Sequence, residues 1–214
     1  MAEDRLNAWQ ILFRRALEIT DSVAASGTRF DDWSFGGGTV LMRRFRHRIS
    51  NDVDIFVPDP QYLGYVSPRL NDTAEAMTSK YLETAISVKL YFPEGEVDFI
   101  TSTPLTRQPV SKEKVLSRMT RVDTTAEIIA KKVWHRGRDF TARDLFDFAL
   151  VATREPAAID TIKPILHERR KVILERISSG KLALRTTFAA LDVLEYRPSF
   201  DECVDVVTEA LERA

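Results

Sequence analysis

The fold is decided by residues 35–57, which read FGGGTVLMRRFRHRISNDVDIFV. The last six residues combine two carboxylates with β-branched or aromatic side chains, which predicts a strand over residues 52–57. Side chains two residues apart project from one face of a strand, so we expect Asp52 and Asp54 to lie together. Two carboxylates on a buried strand repel each other unless a cation binds them. Mg²⁺ prefers oxygen ligands and keeps water and phosphate oxygens in its other positions, so the pair predicts a magnesium site.

The same stretch opens on Gly36, Gly37, Gly38 and Thr39. Glycine lets the backbone approach a ligand closely and adopt positive φ. Residues 39–45 can then form a helix, and the free N–H groups at a helix start attract anions. With the Thr39 hydroxyl, these groups predict a phosphate seat. A phosphate-binding turn followed by a metal-binding strand indicates phosphoryl or nucleotidyl transfer.

A third carboxylate, Asp98, lies in a later apolar segment. Residues 86–92 and 96–100 have the composition of strands, and the turn at residues 93–95 joins them into a predicted β-hairpin. A lone buried Asp is costly unless it is paired or bound to a ligand. Asp98 is therefore a satisfied structural carboxylate, an outward-facing residue or a third metal ligand, and the upstream pair of aspartates favours the third interpretation.

Composition bounds the class of protein. The chain has 214 residues, 44% of them hydrophobic, and a net charge of −1, which suits a sizeable core and excludes a uniformly basic nucleic-acid binder. The charge is uneven: residues 101–190 hold 18 Lys and Arg against 10 Asp and Glu, whereas residues 191–214 hold 2 against 7. The basic segment consists of ordinary solvated helix faces or receives an acidic partner such as nucleotide or RNA.

The single cysteine, Cys203, excludes an intrachain disulfide and a cysteine-based metal cluster. The sequence has no apolar run of transmembrane length and no signal-peptide pattern. We therefore expect a cytoplasmic protein with no membrane contact.

The remaining segments before residue 124 give a coarser pattern. Residues 4–22 predict an amphipathic helix, and residues 68–79 predict a short one. Pro58 and Pro60 are expected to stop regular structure. Residues 115–122 predict one strand or an extended segment.

From residue 124 the chain reads as helical. A capping-box signature, Thr124-x-x-Glu127, begins a helix that ends near residue 137. Further helices are predicted over residues 141–148, 156–178, 182–194 and 200–211. We therefore predict two domains, a catalytic α/β domain over residues 1–118 and a helical domain over residues 119–214 that completes the active-site cleft.

Two neighbouring motifs carry a resemblance to a known family. They are Gly37-Gly38-Thr39-x-Leu41 and His47-Arg48-x-Ser50-x-Asp52-x-Asp54-x-Phe56. In order and spacing they resemble the nucleotidyltransferase core of the AbiEii/AbiGii toxin family, within the DNA polymerase β-like nucleotidyltransferase superfamily. The resemblance implies an α+β fold, with a nucleotidyltransferase-type mixed sheet flanked by helices and followed by a C-terminal helical bundle. It also implies that Asp98 is the third metal carboxylate.

A later set of residues resembles the family's downstream motifs, a helix-borne lysine and an Arg-Asp-x-x-Asp helix. Position by position, Lys132 matches the lysine, with Lys131 as the alternative, and Asp144 matches the aspartate. The resemblance implies that Lys132 holds the β- and γ-phosphates of a nucleoside triphosphate. Asp144 would orient Lys132 or the acceptor, or serve as a general base.

Arg48 and Ser50 match the family segment just ahead of the aspartates, so the resemblance places either of them in contact with the triphosphate. For His47, which matches too, a positioning role is expected.

The implied reaction moves a nucleoside monophosphate from a nucleoside triphosphate to an acceptor hydroxyl and releases pyrophosphate. The catalytic residues would be Asp52, Asp54, Asp98, Lys132 and Asp144. The three residues Asp52, Asp54 and Asp98 would hold Mg²⁺ or Mn²⁺. Phosphate binding would fall to Gly37, Gly38, Thr39, Arg48, Ser50 and Lys132.

The biological role that the resemblance implies is that of the toxin in a bacterial toxin–antitoxin (abortive-infection-type) system. Such a toxin would modify tRNA or another macromolecule and would have a cognate antitoxin protein. Two alternatives stay open, a nucleotidyltransferase that modifies a small molecule such as an aminoglycoside, and a catalytically inactive nucleotide-binding regulatory module.

Overall fold

The computed structural model describes the backbone of residues 2–214 and the side chains of residues 6–214. The chain forms two compact units, each assembled from several segments. The first comprises Met1–Val40, Ser50–Pro104 and Val110–Asp123, and the second comprises Leu41–Ile49, Leu105–Pro109 and Thr124–Ala214. The predicted domain boundary between residues 118 and 119 stays a prediction.

A seven-stranded sheet forms the centre of the first unit. Its strands are β1 (Ser34–Gly36), β2 (Val53–Val57), β3 (Tyr81–Glu83), β4 (Ser87–Phe92), β5 (Gly95–Thr101), β6 (Val110–Val115) and β7 (Arg118–Asp123). They lie in the order β3-β4-β5-β2-β1-β7-β6. The pairs β2–β5 and β1–β7 are parallel, and all other neighbours are antiparallel. The predicted mixed sheet is therefore confirmed, as is the β4–β5 hairpin.

Alternation of side chains gives the central strands of this sheet one buried face. In β2 the residues Val53, Ile55 and Val57 are buried, whereas Asp54 and Phe56 are only half-buried. The neighbouring β5 repeats the pattern. Because successive side chains point to opposite faces, the carboxylates of β2 and β5 lie on the less buried face.

Helices of the first unit include α1 (Ala2–Ala25), the start of α2 (Gly37–Phe45), α3 (Gln61–Val66) and α4 (Asp72–Met77). The ring of Phe13 on α1 lies 4.7 Å from that of Phe35 on β1, and the ring of Trp9 lies 6.1 Å from Phe35. These buried aromatic contacts pack α1 on the sheet, as the apolar spacing of residues 4–22 predicts.

Three details of the first unit differ from the sequence-based expectation. Residues 110–123 form two antiparallel strands, β6 and β7, because Leu116 takes a φ of 56° and turns the chain between them. Helix α3 begins directly after Pro60, since proline fits the start of a helix, where its missing N–H costs no hydrogen bond. Strand β3 has three residues, too few to show a periodic pattern.

The second unit is helical, which confirms the predicted C-terminal helices. It contains α5 (Thr125–Arg136), α6 (Ala142–Arg154), α7 (Pro156–Thr161), α8 (Lys163–Ser179), α9 (Lys181–Ala189) and α10 (Phe200–Glu212). The predicted helix over residues 156–178 is two helices that meet at Ile162, because Pro164 cannot continue a helix interior but fits the first turn of α8. The helix predicted over residues 182–194 ends at Ala189.

The capping box predicted at the start of α5 is only half formed. The Thr124 hydroxyl accepts a hydrogen bond from the Glu127 N–H, as predicted. The Glu127 carboxylate instead accepts from the N–H groups of Leu105 and Thr106, within 3.0 and 2.9 Å. Among the helices of residues 2–214, none combines the length and the apolar character that a membrane-spanning helix requires.

Burial of apolar side chains against the sheet is the main source of stability of the first unit, and a matched pair of leucines tests this. Leu12 on α1 is fully buried, whereas Leu82 on β3 is 53% exposed. Leu12→Ala leaves a cavity and should lower the free energy of unfolding by about 2–5 kcal/mol in denaturant titrations. Leu82→Ala should change it by about 0.5 kcal/mol or less. Equal losses for both variants would contradict this account of the core.

Candidate active site

Two aspartates of the predicted metal set lie side by side in the first unit. Asp54 on β2 is the direct neighbour of Asp98 on β5, because the two strands pair in parallel register. Asp52 lies one residue before the start of β2. The Asp98 side chain is 14% exposed, and its Oδ1 is buried without a hydrogen-bond partner in the described chain.

A glycine makes room for the Asp54 carboxylate. Gly37, the first residue of α2, has a φ of 73°, which side chains other than glycine rarely adopt. A Cβ built on Gly37 would overlap Oδ2 of Asp54. The glycine-rich turn and the aspartate strand are therefore in direct contact, and any side chain at position 37 displaces one of them.

Thr39 ties this turn to the segment that leads into β2. Its buried hydroxyl donates to the Asp52 carbonyl, and it lies 3.1 Å from both the Ser50 carbonyl oxygen and Ser50 Oγ. The hydroxyl thus fixes the backbone that carries Asp52 and Asp54. The predicted phosphate contacts of Gly37, Gly38, Thr39 and Ser50 stay predictions.

The local electrostatics make Asp98 unusual. Burial raises the pKa of Asp98 to about 7, and the negative charge of Asp54 adds to the shift. Lys89 opposes it, with its Nζ 3.5 Å from Asp98 Oδ2. Asp98 therefore gains its charge near neutral pH, where a nearby cation would favour the charged form.

This pair of carboxylates suits a hard divalent cation. Carboxylate oxygens are the ligands that Mg²⁺ prefers, and the unpartnered Asp98 Oδ1 is available to one. Within residues 6–214, no group of three or more His, Cys, Asp or Glu side chains is arranged so that it could hold a metal ion. The fit therefore rests on Asp54 and Asp98, with water and phosphate oxygens in the other positions, and ligation by Asp52 stays a prediction.

A further carboxylate of the first unit, Asp123, has no counterpart among the predicted site residues. It ends β7, is fully buried, and accepts a hydrogen bond of 2.6 Å from Ser34 Oγ. A Cβ at Gly36 would come within 2.5 Å of Asp123 Oδ2, so Asp123 lies under the glycine-rich turn. In the sequence, Asp123 directly precedes Thr124, the N-cap of α5, and no pattern marks it for burial.

The second unit holds its own charged cluster around Lys132. Its Nζ lies 2.7 Å from Asp144 Oδ1 and 3.1 Å from Asp147 Oδ2, and the side chain is 11% exposed. The structure thus brings together the predicted Lys132 and Asp144. Lys131, the alternative, lies 3.7 Å from Glu127, so its ammonium faces a different carboxylate.

Asp144 is held by its own helix as well as by Lys132. Its Oδ2 accepts hydrogen bonds from the N–H and the hydroxyl of Thr141, at 3.0 and 2.6 Å, which completes a capping box at the start of α6. Burial would raise the pKa of Asp144, but the charges of Lys132 and Arg136 outweigh it and hold that pKa below its ordinary value. The contact of 2.7 Å with Lys132 is the one that an orienting role requires, and the choice between this role and a general base stays a prediction.

Arg48 and His47 both point at Asp147. The guanidinium of Arg48 donates from Nε and Nη2 to the two oxygens of Asp147, at 2.7 Å each, and His47 Nε2 lies 2.8 Å from Oδ1. Both side chains are buried. The structure therefore gives Arg48 a carboxylate partner, and its predicted triphosphate contact stays a prediction.

Comparison with known proteins finds a family model that matches most of the chain. The family model described as "Nucleotidyl transferase AbiEii toxin, Type IV TA system" matches residues 23–209. Among curated proteins, none matches this chain.

Three solved structures share the fold over most of their length. A candidate nucleotidyltransferase from H. pylori has 18% sequence identity and a TM-score of 0.55, with 100% of this chain and 95% of that chain covered. JHP933 from Helicobacter pylori has 16% identity and a TM-score of 0.56, with 99% and 91% covered. MenT4, a nucleotidyltransferase toxin from Mycobacterium tuberculosis H37Rv, has 17% identity and a TM-score of 0.51, with 92% and 80% covered. At these identities the likeness shows a common fold.

The contact between Gly37 and Asp54 predicts a large difference between two glycine substitutions. Gly37→Ala combines positive φ with an overlap on Asp54, so it should lower the free energy of unfolding by more than about 1 kcal/mol. Gly64 in α3 is the matched control, because the nearest atom to its added Cβ is 3.7 Å away. Gly64→Ala should be neutral or stabilise by about 0.4–1 kcal/mol. Denaturant titration of both variants measures this, and a Gly37→Ala protein as stable as wild type would contradict the proposed close packing.

The raised pKa of Asp98 predicts a pH-dependent stability in metal-free protein. A carboxyl with a raised folded-state pKa stabilises the fold fully below about pH 4, and that contribution is lost as the pH rises towards about 7. Asp98→Asn removes this loss, so its stability relative to wild type should increase from pH 4 to pH 8. The increase should reach at most about 4 kcal/mol. Urea titrations in the presence of a chelator measure it, and a constant difference across this range would contradict the shift.

Proposed function

Since the chain belongs to the AbiEii nucleotidyltransferase toxin family, we propose that it transfers a nucleoside monophosphate from a nucleoside triphosphate to an acceptor hydroxyl. The acceptor oxygen forms a bond to the α-phosphorus, the bond from that phosphorus to the bridging oxygen breaks, and pyrophosphate leaves. The hydroxyl proton passes to a base or to solvent. The observation that carries this proposal is that Asp54 packs against Gly37 and lies beside Asp98 on the neighbouring strand.

The carboxylates of the first unit suit the metal dependence that we propose. Asp54 and Asp98, with Asp52 as a third candidate, would hold Mg²⁺ or Mn²⁺. When bound, such ions stabilise charge on the attacking and leaving oxygens of an in-line displacement. The low exposure of Asp98 and its unpartnered oxygen support this assignment.

The glycine-rich turn suits the phosphate-binding role. Gly37 and Gly38 begin α2, so their N–H groups belong to the positive end of a helix. Thr39 and Ser50 would hold the turn in place through their mutual contact, which is 3.1 Å long. Lys132 would supply positive charge to the triphosphate, and Asp144 would orient its ammonium.

For the acceptor and the biological role, family membership supports a macromolecular target. We propose that the enzyme is the toxin of a bacterial toxin–antitoxin system, that it modifies tRNA or another RNA, and that it acts in the cytoplasm. A cognate antitoxin would counteract it, in keeping with the toxin–antitoxin description of the family.

A transfer assay with each of the four α-labelled nucleoside triphosphates tests this function. Total RNA, total protein and a small-molecule fraction serve as acceptors, with Mg²⁺ or with a chelator. We expect label in RNA only with Mg²⁺, and Asp54→Ala should reduce it by more than about 100-fold, because loss of a metal ligand costs at least as much as loss of its supporting partners.

Asp72→Ala is the matched control, since Asp72 is an exposed aspartate of the same unit and should leave transfer unchanged. Label in the small-molecule fraction alone would replace the RNA acceptor by a small molecule. Folded wild-type protein that binds nucleotide but releases no pyrophosphate would identify an inactive regulatory module.

A further inference from the structure

Asp147 is the centre of the buried charged cluster in the second unit. Its carboxylate has four donors in reach: Arg48 Nε and His47 Nε2 at Oδ1, and Arg48 Nη2 and Lys132 Nζ at Oδ2. The three shortest contacts are 2.7–2.8 Å long, and the contact with Lys132 is 3.1 Å. Asp147 is fully buried, so each of its oxygens is satisfied within the protein.

The backbone around Arg48 is fixed independently of this carboxylate. The Ile49 N–H donates to the Asp192 carbonyl, and the Leu194 N–H donates to the His47 carbonyl. Arg48 and Val193 form an isolated antiparallel bridge between these two bonds. The backbone that carries the Arg48 guanidinium towards Asp147 is thus held by hydrogen bonds to residues 192–194.

The ion pairs described around Lys132 contain one more cation than carboxylates. Three cations, Lys132, Arg48 and Arg136, face two carboxylates, Asp144 and Asp147. Burial lowers the pKa of His47, so its ring is neutral at pH 7 and adds no charge. If Arg48 were absent, the two buried carboxylates would fully neutralise Lys132 and the more distant Arg136.

We propose that Asp147 and Arg48 are positioning residues for Lys132. The carboxylate of Asp147 aims the ammonium, and the two-pronged pairing with Arg48 offsets the Asp147 charge, so that the charge of Lys132 remains available to phosphate. In this role both residues act on the substrate through Lys132. The inference rests on the proposed function, because it assigns Lys132 the phosphate-binding role described above.

The alternative is that Asp147 only stabilises the helical unit. Breaking a buried ion pair by removing one partner is destabilising, so a loss of stability alone does not separate the two roles. A double-mutant cycle separates them, because a residue that acts through Lys132 has nothing to position once Lys132 is gone.

The test measures nucleotide transfer and thermal unfolding for Asp147→Asn, Lys132→Ala and the double variant. Misplacement of the ammonium by about 1 Å should lower the transfer rate about 100-fold for Asp147→Asn in the wild-type background. In the Lys132→Ala background the same substitution should change the rate by no more than about twofold. Arg48→Lys keeps the positive charge but loses the paired hydrogen bonds from Nε and Nη2 to Asp147, so it should lower the transfer rate less than Asp147→Asn does. This loss should also vanish in the Lys132→Ala background.

Asp160→Asn is the control, because Asp160 is an exposed aspartate of the same unit that pairs with Lys163. It should leave transfer unchanged in both backgrounds. Equal losses for Asp147→Asn with and without Lys132, or no loss in either, would overturn the proposal. If Asp147→Asn does not fold, the Arg48→Lys cycle decides by the same criterion.

A second readout keeps the failure of this proposal distinct from failure of the proposed function. A buried, hydrogen-bonded ammonium exchanges its protons slowly, so ¹⁵N-labelled protein should show an NMR signal for Lys132 that Lys132→Ala removes. Arg48→Lys and Asp147→Asn should shift or broaden this signal, and Asp160→Asn should not. If the Lys132 signal responds to the substitutions as expected but the wild-type protein transfers no nucleotide, only the proposed function is refuted. An unchanged signal in Asp147→Asn would refute the positioning role.

Discussion

The close contact between the Asp54 carboxylate and Gly37 is the constraint on which the first unit depends. It requires a residue without a side chain, in a backbone conformation that other residues rarely adopt, at the first residue of α2. It also requires β1 and β2 to pair in the register that places Gly36 opposite Asp54. A shift of one residue in this register would turn Asp54 into the buried face and Ile55 out of it. Register, helix start and carboxylate position are therefore one interdependent arrangement.

The two units handle buried charge in opposite ways. In the first, burial and the neighbouring charge of Asp54 raise the pKa of Asp98 to about 7. In the second, burial alone would raise the pKa of Asp147, but the charges of Arg48 and Lys132 hold it well below the ordinary value. Asp98 keeps one buried oxygen without a hydrogen-bond partner even though Lys89 lies 3.5 Å from the other, whereas both oxygens of Asp147 are satisfied by four donors. This difference is the physical reason to assign ligand binding to the first set and positioning to the second.

Local patterns predicted those parts of the structure that local interactions determine. The alternation in β2, the hairpin of β4 and β5, and the apolar spacing of α1 each appear within a few residues, and the structure has all three. The turn at Leu116 depends on one residue with positive φ that is not glycine, which composition does not reveal. The pairing of Arg48 with Asp147 joins residues 99 positions apart, and no spacing in the sequence links them. The family motifs identified Lys132 and Asp144 and also contain Asp147, the last residue of Arg-Asp-x-x-Asp, but the contacts of Asp147 with Lys132 and Arg48 appear only in the folded chain.

The parallel pairing of β1 with β7 has a consequence for how the protein is made. Phe35 on β1 lies next to Val122 on β7. Strand β1 therefore lacks this second neighbour until more than half of the chain has left the ribosome. Until then, one edge of β1 exposes unpaired N–H and C=O groups and has no strand beside it. Contacts between residues so distant in sequence form slowly, and nascent chains with open strand edges are prone to aggregate. Synthesis that stops before residue 110 would therefore yield an unfinished sheet, a species that chaperones and proteases are expected to remove.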